Sequence, residues 1–233
     1  RAGAYRGGRS PRGGVLNPLG PEVWLGARAG LEEKTATIHP PPTPGRVARM
    51  VVSRVWFPGS AEARIAGAVL APTSLQRRAF LNPSTGPKGV LAYDTPAVRG
   101  APLAWASATG SALGVARAYL PFARGGTVGG RTYLSPETLA PIHRRQGWSE
   151  RDVILEKPVG WSEGFLKEER HLFSPNPESF GHAGMGGALG WCDPVDDLSF
   201  GYVMNRMDWR VRSLRCLQLC HALYECEPIR DRA

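Results

Sequence analysis

The chain has 233 residues, 42% of them hydrophobic, with a formal net charge of +9. That is enough apolar material for one domain with a substantial core, and no apolar run reaches the roughly 18 charge-free residues of a membrane span. With 29 glycines and 21 prolines, turns and loops are expected to be frequent, and four cysteines are too few and too clustered for a disulfide framework.

Residues 1–14 carry Arg1, Arg6, Arg9 and Arg12 among glycines, with no apolar periodicity. They read as a disordered tail. Such a tail can bind RNA through charge and stacking at Tyr5, but a solvated tail is the favoured reading, so nucleic acid is not the expected partner. The domain is expected over 15–228, with 229–233 a second tail. Val15 to Gly26 reads as the end of a helix and a turn. His39 to Gly45, with four prolines, reads as a linker or loop rather than helix or central strand. Arg46 to Phe57 alternates apolar and basic residues loosely. Ser84 to Gly89 resembles a phosphate loop only faintly, lacking its first glycine and its Gly-Lys-Ser/Thr ending, and a turn is expected.

Thr109 to Ala123 places Ala112, Leu113, Ala116, Tyr119, Leu120 and Ala123 at helical spacing, and Pro121 should kink or end that helix. Ser135-Pro136-Glu137 is a helix start, with a capping hydroxyl, a first-turn proline and an acid at the positive end. Pro141 keeps that helix short. From residue 159 the pattern turns to strands: Trp161 to Leu166, Ser179 to Gly184, Ala188 to Cys192 and Ser199 to Met204. A last helix, Asp208 to Tyr224, should pack back on them along Val211, Leu214, Leu217, Cys220 and Tyr224. Helices, an antiparallel sheet and a closing helix make an α+β arrangement.

Several constellations compete for chemistry. Cys216, Cys220, His221 and Cys226 could form a zinc set, but the helical spacing makes Cys220 a core residue instead. Gly160-Trp161-Ser162-Glu163-Gly164 fits a nucleophile elbow, with Asp193, Asp196 or Asp197 and then His221 in triad order. Lys157-Pro158 interrupts the strand an elbow needs, and no βα alternation precedes it, so an entry to an edge strand is expected. The strongest feature is Phe180-Gly181-His182-Ala183-Gly184-Met185, with Tyr202 to Met207 on the returning strand. It sets one ionisable ring among small residues that would let a substrate backbone lie close.

His182-Ala183-Gly184 resembles the third motif of the serine β-lactamase/DD-peptidase (penicillin-binding-protein-like) superfamily, in the esterase-like β-lactamase-related branch where His-x-Gly stands for Lys-Thr-Gly. Pro18 to Gly26, Phe80 to Pro83, Leu134 to Leu139 and Tyr202 to Met207 are similar to further landmarks of that branch, in its order. The resemblance covers most of residues 16–225. It implies a serine hydrolase acting on a small-molecule ester or amide, with no metal or organic cofactor. It implies that His182 faces the cleft as the catalytic-site side chain, with Ala183, Gly184 and Met185 binding substrate and the Met185 N–H serving as one oxyanion donor. The superfamily also needs Ser-x-x-Lys and Tyr-x-Asn, and neither occurs: every serine lacks a lysine three residues on. Residues three apart on a helix share a face, which is how the amine reaches the hydroxyl. Both motifs normally precede the Pro18 landmark, so the expectation is the C-terminal portion of a longer enzyme, an incomplete domain that is truncated and inactive as given. In relatives the loop at Ala104 to Gly110 often carries an asparagine that this chain lacks. A non-catalytic ligand-binding domain is the alternative. The compartment is not legible.

Overall fold

The computed structural model describes residues 19–226 apart from 21, 27–30, 42, 83, 85, 87–88, 104, 168–172 and 211. The arginine-rich tail, the C-terminal tail and half of Ser84 to Gly89 therefore lie outside the described residues. Strand β1 (Val23–Leu25) is followed by helices α1 (Thr43–Trp56), α2 (Ala61–Leu70), α3 (Leu75–Leu81) and α4 (Pro96–Gly100). Next come β2 (Ala108–Gly110), α5 (Ala112–Ala123), the β3 (Thr127–Val128) and β4 (Arg131–Thr132) hairpin, and α6 (Pro136–His143). The remaining elements are β5 (Gly147–Ser149), β6 (Val159–Trp161), β7 (Leu166–Lys167), β8 (Phe180–Ala183), β9 (Leu189–Asp193), β10 (Leu198–Tyr202) and α7 (Leu214–Tyr224).

The last six strands form one antiparallel sheet in the order β10-β9-β8-β7-β6-β5. One face carries α7: Trp191, Leu189, Val159, Leu166 and Phe173 pack with Cys216 and Cys220. The other carries α5, where Phe180 and Cys192 meet Ala123, Tyr119 and Phe122. Trp191 is the centre of the first layer, stacked between Phe173, Phe200 and Tyr224 at ring separations of 6.2, 5.6 and 6.0 Å. The α+β expectation of an antiparallel sheet closed by a C-terminal helix is met.

Local chemistry explains where the element boundaries fall. Serine hydroxyls cap α2, α3, α5, α6 and α7, each accepting from a backbone N–H of the first turn: Ser60, Ser74, Ser111, Ser135 and Ser213. Helix α1 begins inside the proline-rich segment expected to be loop. Pro44 occupies the first turn, where its missing N–H leaves no bond unmade. Val23 to Leu25, where a turn after a helix end was expected, is a strand pairing with β2, which also takes Thr109 away from α5. Pro121 sits inside α5, which ends two residues later. The closing helix begins six residues later than its sequence pattern suggested, because Asp208 accepts from the Ser213 hydroxyl (2.8 Å) ahead of it. Its buried residues are Cys216 and Cys220, with Leu223 and Tyr224 beside them, while Leu214 is exposed. The expected single strand Trp161 to Leu166 is instead the hairpin β6–β7: Ser162 N–H donates to Phe165 O at 2.9 Å, and Gly164 takes a positive φ of 82° in the turn. No helix among the described residues is long and apolar enough to cross a membrane.

Candidate active-site strand

Strand β8 lies between β7 and β9, with Phe180, Gly181, His182 and Ala183 opposite Cys192, Trp191, Gly190 and Leu189. Its glycines answer mostly to internal packing. A Cβ at Gly181 would stand 2.3 Å from Gly190 O and 2.4 Å from Trp191 Cβ. At Gly190 it would meet Tyr119 at 2.5 Å, and at Gly201 it would meet Ala112 O at 2.2 Å. These glycines let α5 and Trp191 settle onto the sheet, so the space expected for a substrate backbone is at those positions filled by the protein itself. Gly184 is different: its nearest neighbour would be Ala188 Cβ at 3.4 Å, ordinary contact.

His182 is exposed near the end of this strand. Its ring centroid lies 6.2 Å from that of Trp161, tilted by 46°. The surrounding protein lowers its pKa below the usual imidazole value by desolvation, opposed by a backbone hydrogen bond at Ala183. The imidazole is therefore neutral at pH 7 and can both donate and accept. Ala183 is half-buried and packs against the Trp191 cluster. Gly184 donates its N–H to Ala188 O at 2.7 Å. Met185, 49% exposed, opens a single 3-10 turn, Met185–Gly187. The turn is braced from behind, as Asp208 N–H donates to Gly186 O at 2.7 Å and Cys216 Sγ donates to Gly187 O. Gly186 and Gly187 have φ of 84° and 114°, and side chains there would strike Met207 and Ser213, so glycine is required at both.

The competing constellations are not assembled. Ser162, 6% exposed, lies in the β6–β7 turn rather than between a strand and a helix, and its hydroxyl has no hydrogen-bond partner among the described residues. Asp193 is fully buried and accepts from Ser174 Oγ (2.7 Å), Asn176 Nδ2 (2.8 Å) and Tyr224 OH (2.6 Å), so it ties a loop and α7 to the sheet rather than orienting a histidine. Sequence reasoning missed this clasp, although the acidic β9–β10 turn hinted at it. The strand-entry role given to Ser162 gives way to a hairpin turn, and β5 rather than β6 is the sheet edge. Burial pushes the Cys216 and Cys220 thiols up to about 11 and about 12, which opposes the thiolate a zinc site needs. No cluster of three or more metal-ligating side chains occurs among the described residues. In the Ala104 to Gly110 region, Ala108 to Gly110 is committed to pairing with β1, and exposed Trp105 packs edge-on to Tyr93 at 6.0 Å.

No protein-family profile matches the chain. Among solved structures, a family VIII carboxylesterase superposes with a TM-score of 0.64 at 26% identity, over 91% of this chain and 49% of that one. Its fold is that of β-lactamase/penicillin-binding-protein-like proteins. A penicillin-binding protein homologue from Caulobacter crescentus shares the fold at a TM-score of 0.64 and 24% identity, over 91% of this chain and 50% of its own. EstA from Arthrobacter nitroguajacolicus Rue61a does so at 0.61 and 24%, over 91% and 51%. The esterase/β-lactamase LipL of Mycobacterium tuberculosis is 32% identical over 104 residues, which is 44% of this chain and 23% of LipL. The chain thus spans about half the length of the solved structures it matches.

Proposed function

We propose that these residues form the substrate-holding bank of a serine acyl hydrolase of the esterase type, with the nucleophile outside the 233 residues. In that reading an ester or amide carbonyl lies along Ala183 and Gly184, and neutral His182 orients it by hydrogen bonding. The Met185 N–H, at the head of its turn, receives the developing oxyanion. One such donor contributes about 10²- to 10³-fold in rate. A serine oxygen attacks the carbonyl carbon, the ester C–O bond breaks, the alcohol leaves with a proton, and water then hydrolyses the acyl-enzyme. No serine here has a lysine three residues on, so the chain as given is catalytically silent; loss of the nucleophile costs on the order of 10⁶ in turnover. Residues 15–228 act as one domain in this reading, with 1–14 and 229–233 as tails.

The observation that carries the proposal is an exposed His182, followed by an uncrowded Gly184 and the braced Met185 turn, on a sheet with an esterase relative. A fluorophosphonate probe and mass spectrometry test it. The expected result is no modified serine in residues 1–233 and no release of p-nitrophenol from p-nitrophenyl butyrate above background. Turnover accompanied by labelling of Ser162 or any other serine here would overturn it.

A further inference from the structure

One large apolar side chain, Trp161, stands in solvent against His182, and a second exposed one, Met185, follows close behind it in the chain. Trp161 is 36% exposed and Met185 follows the histidine by three residues. The placement of Trp161 is specific. It sits on β6, and β7 lies between it and β8. Strands are about 4.8 Å apart, so the two backbones are separated by about 10 Å. The ring centroids nevertheless lie 6.2 Å apart, so indole and imidazole lean towards each other across that gap. Trp161 makes no other ring contact among the described residues, and its carbonyl, accepting from Gln146 N–H at 2.7 Å, fixes the backbone beneath it. Leaving apolar rings exposed at one spot costs solvation free energy that a bound apolar group would recover.

The charges around the ring complete the picture. No ion pair or side-chain hydrogen bond to His182 is recorded among the described residues, and no neighbouring charge contributes to its titration. A lysine at this position would offer a permanent cation to a carboxylate, whereas a neutral imidazole offers only a hydrogen bond.

Resting on the reading above, we infer that Trp161 and Met185 form an apolar subsite beside His182 that takes the uncharged aryl or alkyl flank of an ester and discriminates against a carboxylate there. Trp161 supplies a ring face for the flank, Met185 adapts to its shape, and His182 hydrogen-bonds the adjoining carbonyl.

Calorimetry on the whole chain near neutral pH tests this, with phenyl butyrate and 4-carboxyphenyl butyrate as probes. Phenyl butyrate is expected to bind at least about tenfold more tightly than its carboxylate analogue, and Trp161→Ala to weaken it about tenfold. Trp161→Phe, which keeps a ring on an exposed site, should stay within about threefold of wild type. The subsite is overturned if phenyl butyrate binds but Trp161→Ala leaves its Kd unchanged, or if the carboxylate analogue binds as tightly. If neither ester binds at all, the proposed acyl-binding role itself fails and takes the subsite with it.

Discussion

The sheet and the helical segment α1–α3 are built on opposite terms. Every residue of the two core clusters comes from positions 119–224, whereas among the described side chains of α1–α3 only Ala63 is buried. Val51, Val55, Trp56, Phe57 and Leu70 all stand exposed there. The difference teaches that stability and site geometry reside in the sheet. There, glycines clear space for single large side chains, and one rigid layer positions His182.

The two tryptophans Trp191 and Trp56 put this contrast to the sharpest test. Trp191 is 0% exposed and stacked on three rings, so Trp191→Ala should cost about 3–5 kcal/mol in urea unfolding. Trp56 is 73% exposed, so Trp56→Ala should change stability by no more than about 0.5 kcal/mol. Equal losses would show that the helices carry a core of their own.

Glycine substitution gives the next largest separation. Gly181→Ala forces a methyl against backbone oxygen and Trp191, and about 1–3 kcal/mol is the expected loss by thermal melting. Gly59→Ala, with nothing within 4 Å of the added carbon, should be close to neutral.

The Asp193 clasp sharpens the comparison from within the sheet. Asp193→Asn presents an amide N–H₂ to groups that already donate, so about 1–3 kcal/mol should be lost. Amide exchange should then accelerate most at Ser174, Asn176 and the end of α7. Acceleration spread evenly over the chain would argue against a local clasp.

The smallest effect is acid sensitivity. His182 and His143 both have lowered pKa values, from desolvation by the surrounding protein in each case and, for His143, also from the Lys167 charge. A histidine depressed in the folded state binds its proton more readily when unfolded. Full stability is therefore present above about pH 6.5 and is lost as pH falls from there towards the lowered values. His182→Gln should flatten part of that decline in urea melts at successive pH values. An unchanged slope would mean that His182 titrates as it would in solvent.

The sequence made the sheet legible for a physical reason. Glycine and aromatic alternation around Phe180 to Tyr202 reflects absolute steric limits, and strands β8, β9 and β10 begin and end within two residues of expectation. The Ser135 cap was equally direct, because a hydroxyl, a proline and an acid satisfy a helix start locally. Helix α1 was hidden because Val51, Val52, Val55 and Trp56 face solvent rather than forming a buried stripe, and because Pro44 looks like a breaker until its first-turn position is known. The β6–β7 hairpin was hidden by its brevity: Trp161 and Leu166 are joined by a four-residue turn that reads as continuous strand. At the site, His182, Gly184 and Met185 could be singled out from the motif. The contribution of Trp161 could not, because it depends on two side chains leaning across an intervening strand.

The proposal that these residues hold an ester without attacking it can be read out by proton NMR of the His182 ring during a phenyl butyrate titration. The expected result is a saturable shift of the His182 C2–H signal while the ester stays intact over the titration. An unmoved His182 signal, or release of butyrate by the chain alone, would contradict it.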